Sequence, residues 1–200
     1  MEKFKRLIST IGTQLKAAGF TKQGNTFYLQ RDSNWGIINF QKSMSSTKQA
    51  VKFTINLGVQ STSICKVLKY KEKVDKPTIG VCHWTERIGF LLPQKQDYWW
   101  TISDDTDLEE LIVELSNVVG ELAVPELEAH ITDESLMILW LNGFAGCTML
   151  GRYIYLTTLL KLHHDERLAD VIDDLLQRSK GKSYEQRATA HIKQLELYGN

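Results

Sequence analysis

Proline and cysteine are scarce, three of each in 200 residues, and each shortage closes off a structural class. A disulfide framework needs an even set of cysteines, whereas Cys65, Cys82 and Cys147 are odd in number and widely spaced. They read as free thiols, the state a reducing cytosol maintains. With so little proline and a hydrophobic content of 42%, the chain falls outside the disordered class. Net charge is missing too: 24 basic side chains face 24 acidic ones, so no global field draws a polyanion and no nucleic-acid partner is expected. The longest apolar run, "SLMILWLNGFAG" at 135–146, is well short of the roughly 20 residues that span a bilayer, so no membrane segment is expected. Ser9, Thr10, Thr13, Gln14 and Lys16 interrupt the N-terminal apolar pattern before it reaches the length of a secretory signal. A soluble, cytoplasmic, ordered protein is the expectation.

Catalytic and ligand signatures are equally thin. The glycines of "GNTFYLQR" and "GFAGCTMLG" lack the Lys-Ser/Thr pair and the strand-to-helix setting of a phosphate-binding loop, so no cofactor is expected. Asp104, Asp105 and Asp107 lack the glycine and terminal glutamate of a calcium loop and suit a helix start instead. His130, Asp133 and Glu134 also read as helix-end residues, as does the run His163, His164, Asp165 and Glu166, so no metal is assigned. Cys82 and His83 are adjacent, and neighbours along a strand point to opposite sides, which argues against a thiol–imidazole dyad. The lysines of "LKYKEKVDK" are broken up by Glu72 and Asp75 and read as a solvated loop. No catalytic residue is assigned.

What is present is periodicity. Phe4, Leu7, Ile8, Ile11, Leu15 and Ala18 form one apolar stripe at helical spacing, with Gly19 to end it. "NTFYLQR", "WGIINFQKS" and "AVKFTINLGV" read as strands of an antiparallel meander. "ERIGFLLP" and "DYWWTIS" then extend the sheet to about five strands. Beyond them Asp104 or Thr106 caps a helix carrying Leu108, Leu111, Ile112, Leu115 and Val119. Pro125 starts a short helix, Thr132 to Glu134 another, and more helices follow to the C-terminus. The fold class is α+β, with a helix-plus-sheet region over 1–105 and a helical region over 106–200 packed against it as one continuous unit.

In "VKFTINLGVQ" the apolar residues alternate with Lys52, Thr54, Asn56 and Gln60, which raises the question of what the second face touches. Collected over the strands, that face holds Tyr28, Gln30, Asn39, Gln41, Thr54, Asn56, Arg87, Trp99 and Thr101, with Tyr98 and Trp100 turned to the core. A solvated sheet face usually carries Lys, Glu and Asp, so amides, hydroxyls and aromatics suggest cover. Two readings stay open: the C-terminal helices cover it and its amides bond internally, or part of it is a groove in which Tyr28, Arg87 and Trp99 anchor a partner. The candidate binding residues are Tyr28, Asn39, Gln41, Asn56, Arg87 and Trp99.

Together, "GFTKQGNTFYLQR", "WGIINFQKS", "FTINLGV", "ERIGFLLP" and "DYWW" resemble the bacterial family catalogued as domain of unknown function 4304. The resemblance covers roughly the first 125 residues and implies a soluble helix-plus-sheet fold, with no catalytic residues to carry over. The expectation for function is a non-catalytic protein-interaction module, an adaptor or immunity-type partner. The alternative is a small-ligand binder or enzyme using a groove between sheet and C-terminal helices, where Arg87 would hold an anion with His83 or Glu86 at the rim.

Overall fold

The computed structural model of the chain describes residues 2–69, 76–143 and 146–198. Helix α1 (Glu2–Ala17) buries Phe4, Leu7, Ile8, Ile11 and Leu15, the stripe that its spacing predicts. A mixed-length antiparallel sheet follows: β1 (Thr21–Gln23), β2 (Thr26–Arg31), β3 (Asn34–Lys42), β4 (Val51–Gln60), β5 (Trp84–Arg87) and β6 (Trp100–Ile102). The first five strands lie side by side in sequence order. β5 and β6 share one edge of β4, opposite Asn56–Val59 and Val51–Phe53 respectively. Register then fixes two faces. Phe27, Ile38 and Leu57 stand opposite one another on the inner face, as do Phe40 and Ile55, and all are buried beneath α1.

The helical region comprises α3 (Leu108–Asn117), α4 (Val124–His130), α5 (Asp133–Leu141), α6 (Met149–Leu162), α7 (Leu168–Ser179) and α8 (Glu185–Glu196), with the short α2 (Thr62–Val67) directly after β4. It packs on the same face of the sheet as α1. A Cβ on Gly36 of β3 would stand only 2.8 Å from Ile131 and 2.9 Å from Leu127, so glycine is what lets α4 approach the inner face. One core runs from Phe4 through the sheet to Leu160, and a second, smaller one joins Val67 and α6 to α7 and α8 through Leu150, Leu175, Ile192 and Leu195. The sequence-based picture of these helices covering the amide face is therefore corrected: they sit on its opposite side.

Local differences have physical causes. β5 ends at Arg87, and Ile88–Phe90 forms a 3-10 turn where a longer strand is predicted, because Ile88 and Gly89 turn into the interior. The N-cap of α3 is Asp107, in place of Asp104 or Thr106; its carboxylate accepts from the backbone N–H groups of Glu109 and Glu110. Pro125 stands in the first turn of the short helix α4, as predicted, but no break precedes it: the backbone stays helical from residue 108 to 130 as one rod. The proline has no N–H for the carbonyl of Glu121, and the rod absorbs this mismatch in the π turn Val118–Ala123. Asp165 holds Arg167 by backbone and side chain, whereas α7 itself begins without a side-chain cap. Most of the lysine-rich stretch, residues 70–75, lies outside the described residues.

Asn34 ties the halves together. Buried at the turn between β2 and β3, it donates to the carbonyl of Ile131 (3.0 Å) and to Asp133 (2.9 Å) and accepts from the backbone N–H of Thr62 (2.9 Å). Replacement by alanine strands a buried carbonyl and an N–H. We expect Asn34→Ala to lose about 2 kcal/mol, read from the urea midpoint of unfolding; an unchanged midpoint would show that water replaces the amide freely.

Candidate functional site

The outer face of the sheet is roofed in patches by loops and open between them. Ile79 and Cys82, on the segment before β5, lie over Gly58, and Thr54 donates to the carbonyl of Tyr98 at 2.9 Å. This is why Thr54 and Asn56 are buried although they point away from the core. Between the two loops, Thr26, Asn39, Asn56 and Arg87 stand directly opposite one another across β2, β3, β4 and β5. At the usual strand spacing this polar row runs roughly 14 Å perpendicular to the strands.

The row is wired laterally. Arg87 donates from Nε to Asn56 Oδ1 (3.2 Å) and from Nη1 to Asp97 Oδ1 (2.7 Å). The indole of Trp99 donates to the other oxygen of Asp97 (3.0 Å), and Asn56 donates to Gln41 Oε1 (2.8 Å). Asn39 donates to Thr26 Oγ1 (2.8 Å). The Arg87 guanidinium stacks 5.3 Å from the centre of the Trp99 ring, with the Lys52 ammonium 5.6 Å from it. Hydrogen bonds from Arg87 and Trp99 hold the Asp97 carboxyl below its ordinary range. The Arg87–Asp97 pair is half-exposed, so it positions the guanidinium more than it stabilises the fold.

Two adjoining depressions of about 350 and 370 Å³ lie along the row and share Gln41, Asn56 and Ile79. Thr85, Glu86 and Arg87 line one; Thr26, Tyr28, Asn39, Thr78 and Gly80 line the other. The Lys76 ammonium lies 5.0 Å from the centre of the Tyr28 ring. Of the sequence-derived residues, Gln41, Asn56, Arg87 and Trp99 join one network, while Tyr28 and Asn39 line the neighbouring depression. Gln30 and Thr101 stay exposed at its margins. Sequence reasoning missed Asp97, which sits in a loop without periodicity; its signal is an acid two positions before an outward tryptophan. It also missed the Ile79 wall. The C-terminal helices do not border these depressions, which corrects the groove expected between sheet and helices.

The family described as domain of unknown function (DUF4304) matches residues 11–129, from within α1 to the last turn of α4. The chain belongs to that family. No curated protein and no solved structure matches it. The DUF4304 match contains the whole polar row, Asp97 and Trp99, and leaves α5 to α8 outside.

The second group of interest in the DUF4304 region lies around His83. Cys82 turns to the Thr78 carbonyl while His83 turns inward, and the sulfur nearest the ring is that of Cys65, 3.9 Å from Nε2. The backbone N–H of Ser61 donates to His83 Nδ1 (2.9 Å), which places the ring proton on Nε2, facing the sulfur. An imidazole so arranged has no lone pair with which to take the thiol proton. Burial pushes Cys65 up, Cys82 to about 12 and His83 down to about 4, all away from a reactive thiolate. Among the described residues no group of three or more His, Cys, Asp or Glu gathers as metal ligands, and no helix is long and apolar enough to cross a membrane.

Proposed function

We propose that this DUF4304 chain is a non-catalytic protein-interaction module of the bacterial cytoplasm, an adaptor or immunity-type partner, and that the outer sheet face is its working surface. The observation that carries this reading is the Arg87–Trp99 pair. The guanidinium is held between Asn56 and Asp97 and stacked on the indole at the edge of an open depression. Arginine and tryptophan dominate the energetics of protein interfaces, and a side chain already ordered before contact loses less entropy on binding. Full-length protein used as bait in a crosslinking pull-down should recover a specific partner. Arg87→Ala and Trp99→Ala should each weaken its affinity roughly 30-fold. Recovery of no specific protein, or equal recovery by both variants, removes the reading.

The size of the depressions favours a second reading. About 350 and 370 Å³ are within the range of small-molecule sites, so a small-ligand binder or enzyme is the alternative. A metabolite that raises the melting temperature of the native chain, with the rise lost in Arg87→Ala, would favour it.

A further inference from the structure

The hydrogen bonds of the polar row run in one direction only. Arginine has donors and no acceptor, so the oxygen of the Asn56 amide must face Arg87. The Asn56 nitrogen therefore faces Gln41, and Gln41 must meet it with oxygen. At the other end Asp97 is an acceptor between two donors, Arg87 and the Trp99 indole. No exchange of amide nitrogen and oxygen is compatible with this chain of bonds. Its consequence lies at the surface: Asn56 Oδ1, Gln41 Oε1 and both Asp97 oxygens already accept bonds inside the network, whereas the Gln41 Nε2 amide and the outer Arg87 nitrogen remain as outward N–H donors, with the Asn39 Oδ1 acceptor one strand further along the row.

Charge points the same way. Arg87 and Lys52 both lie against the Trp99 ring, and both lower the pKa of Asp97, so among the described residues two cations flank the Asp97 carboxylate. Glu86 lines the same depression as Arg87, but its carboxylate is engaged elsewhere. It stands opposite the inward Leu57, accepts from the backbone N–H of Arg87 and interacts with Glu126 and His130 on the helical side. A donor-rich, locally cationic strip suits an acceptor bearing negative charge.

The geometry points to a carboxylate of a partner polypeptide, an Asp or Glu side chain, seated over Asn56 between the Gln41 amide and the Arg87 guanidinium. This rests on the outer face being an interaction surface and names the chemistry it recognises. Among the described residues the depressions have a sheet floor and a wall at Thr78–Gly80, a lining that does not surround a free acid as small-ligand sites do. A protruding side chain brings its own cover.

The test is selection from a random peptide display library on the immobilised full-length chain, followed by anisotropy titration of the recovered peptides. Recovered sequences should share an Asp or Glu, and its replacement by Asn or Gln should weaken binding about tenfold or more. Gln41→Glu should weaken binding as much with an unchanged melting temperature, because a glutamate oxygen still accepts from Asn56 while the outward donor is gone. A common basic or apolar anchor, an acid replaceable without loss, or unchanged binding to Gln41→Glu overturns the carboxylate assignment and leaves the interaction surface standing. Peptides that bind Arg87→Ala and Trp99→Ala as well as the native chain overturn the surface itself. Glutarate alone stabilising the native chain, but not Gln41→Glu, would make this a small-acid site and overturn the polypeptide assignment.

Discussion

Gly89→Ala should destabilise the protein by about 3 kcal/mol, the upper part of the range for overpacking a close-packed site. A Cβ there would stand 2.2 Å from the carbonyl oxygen of Gln96 and 2.6 Å from the backbone nitrogen of Tyr98. Both are backbone atoms, so no side-chain rotation relieves the overlap, and the Gln96 N–H bond to the Gly89 carbonyl (3.1 Å) would have to open. For a chain of this size the melting temperature should fall roughly 6–12 °C. The damage should also be directional. The segment pushed away carries Asp97 and Trp99, so Arg87 loses its anchor and its stacking partner together. A melting temperature within 2 °C of native, on the order of a ±0.5 kcal/mol surface substitution, would show that the loop has slack which the contact distances deny.

The second large effect is loss of stability in mild acid. His83 is held near 4 by burial, against an opposing pull from Asp133, and His191 near 4 by burial between α6 and α8. His191 meets Thr157 Oγ1 at 2.7 Å; that hydroxyl already donates to the Tyr153 carbonyl, so the imidazole N–H is the donor. Both rings are therefore neutral in the folded protein down to about pH 4, whereas the unfolded chain protonates them near 6.5. The sign follows directly: below 6.5 the unfolded state binds more protons, so stability falls with falling pH. Each histidine should contribute a loss of roughly 3 kcal/mol across that window, a large share of the 5–15 kcal/mol by which domains are stable. Urea midpoints from pH 7.5 to 4.5 should drop steeply, and His191→Gln, whose amide can still donate to Thr157, should flatten the curve by about half. A flat native curve would refute the burial of both rings. Asp165 and Asp174, held low by Arg167 and chiefly by Tyr153 respectively, act in a separate window below the ordinary carboxylate range.

What the sequence reveals here is whatever repeats. The stripe on α1 and the alternation along β4 depend on period alone, and both faces of the sheet follow from them. Asn56, Gln41 and Arg87 could be assigned to one face for that reason. Their connection could not, because Asp97 enters from a loop whose path is set by the contact of Gly89 with Gln96, and no pattern in the chain announces a contact between backbones. The error at Asp107 has another origin: four residues from Asp104 to Asp107 are competent caps, and only the turn in which Thr106 bonds to the Ser103 N–H (2.8 Å) decides among them. The side of the sheet taken by the C-terminal helices was likewise hidden, since Gly36 makes room for α4 without contributing to any apolar count.

Sequence similarity to DUF4304 stops at residue 129, at the end of the rod that begins at Leu108. Packing does not stop there. Leu136, Trp140, Leu156 and Leu159 belong to the same core as Phe4 and Phe53. The edge of β5 is completed from the same side, where the Gly146 carbonyl accepts from the Thr85 N–H at 2.7 Å. Severing the chain at the similarity limit would thus cut through this shared core and leave an unsealed strand next to the residue, Arg87, on which recognition is proposed to turn.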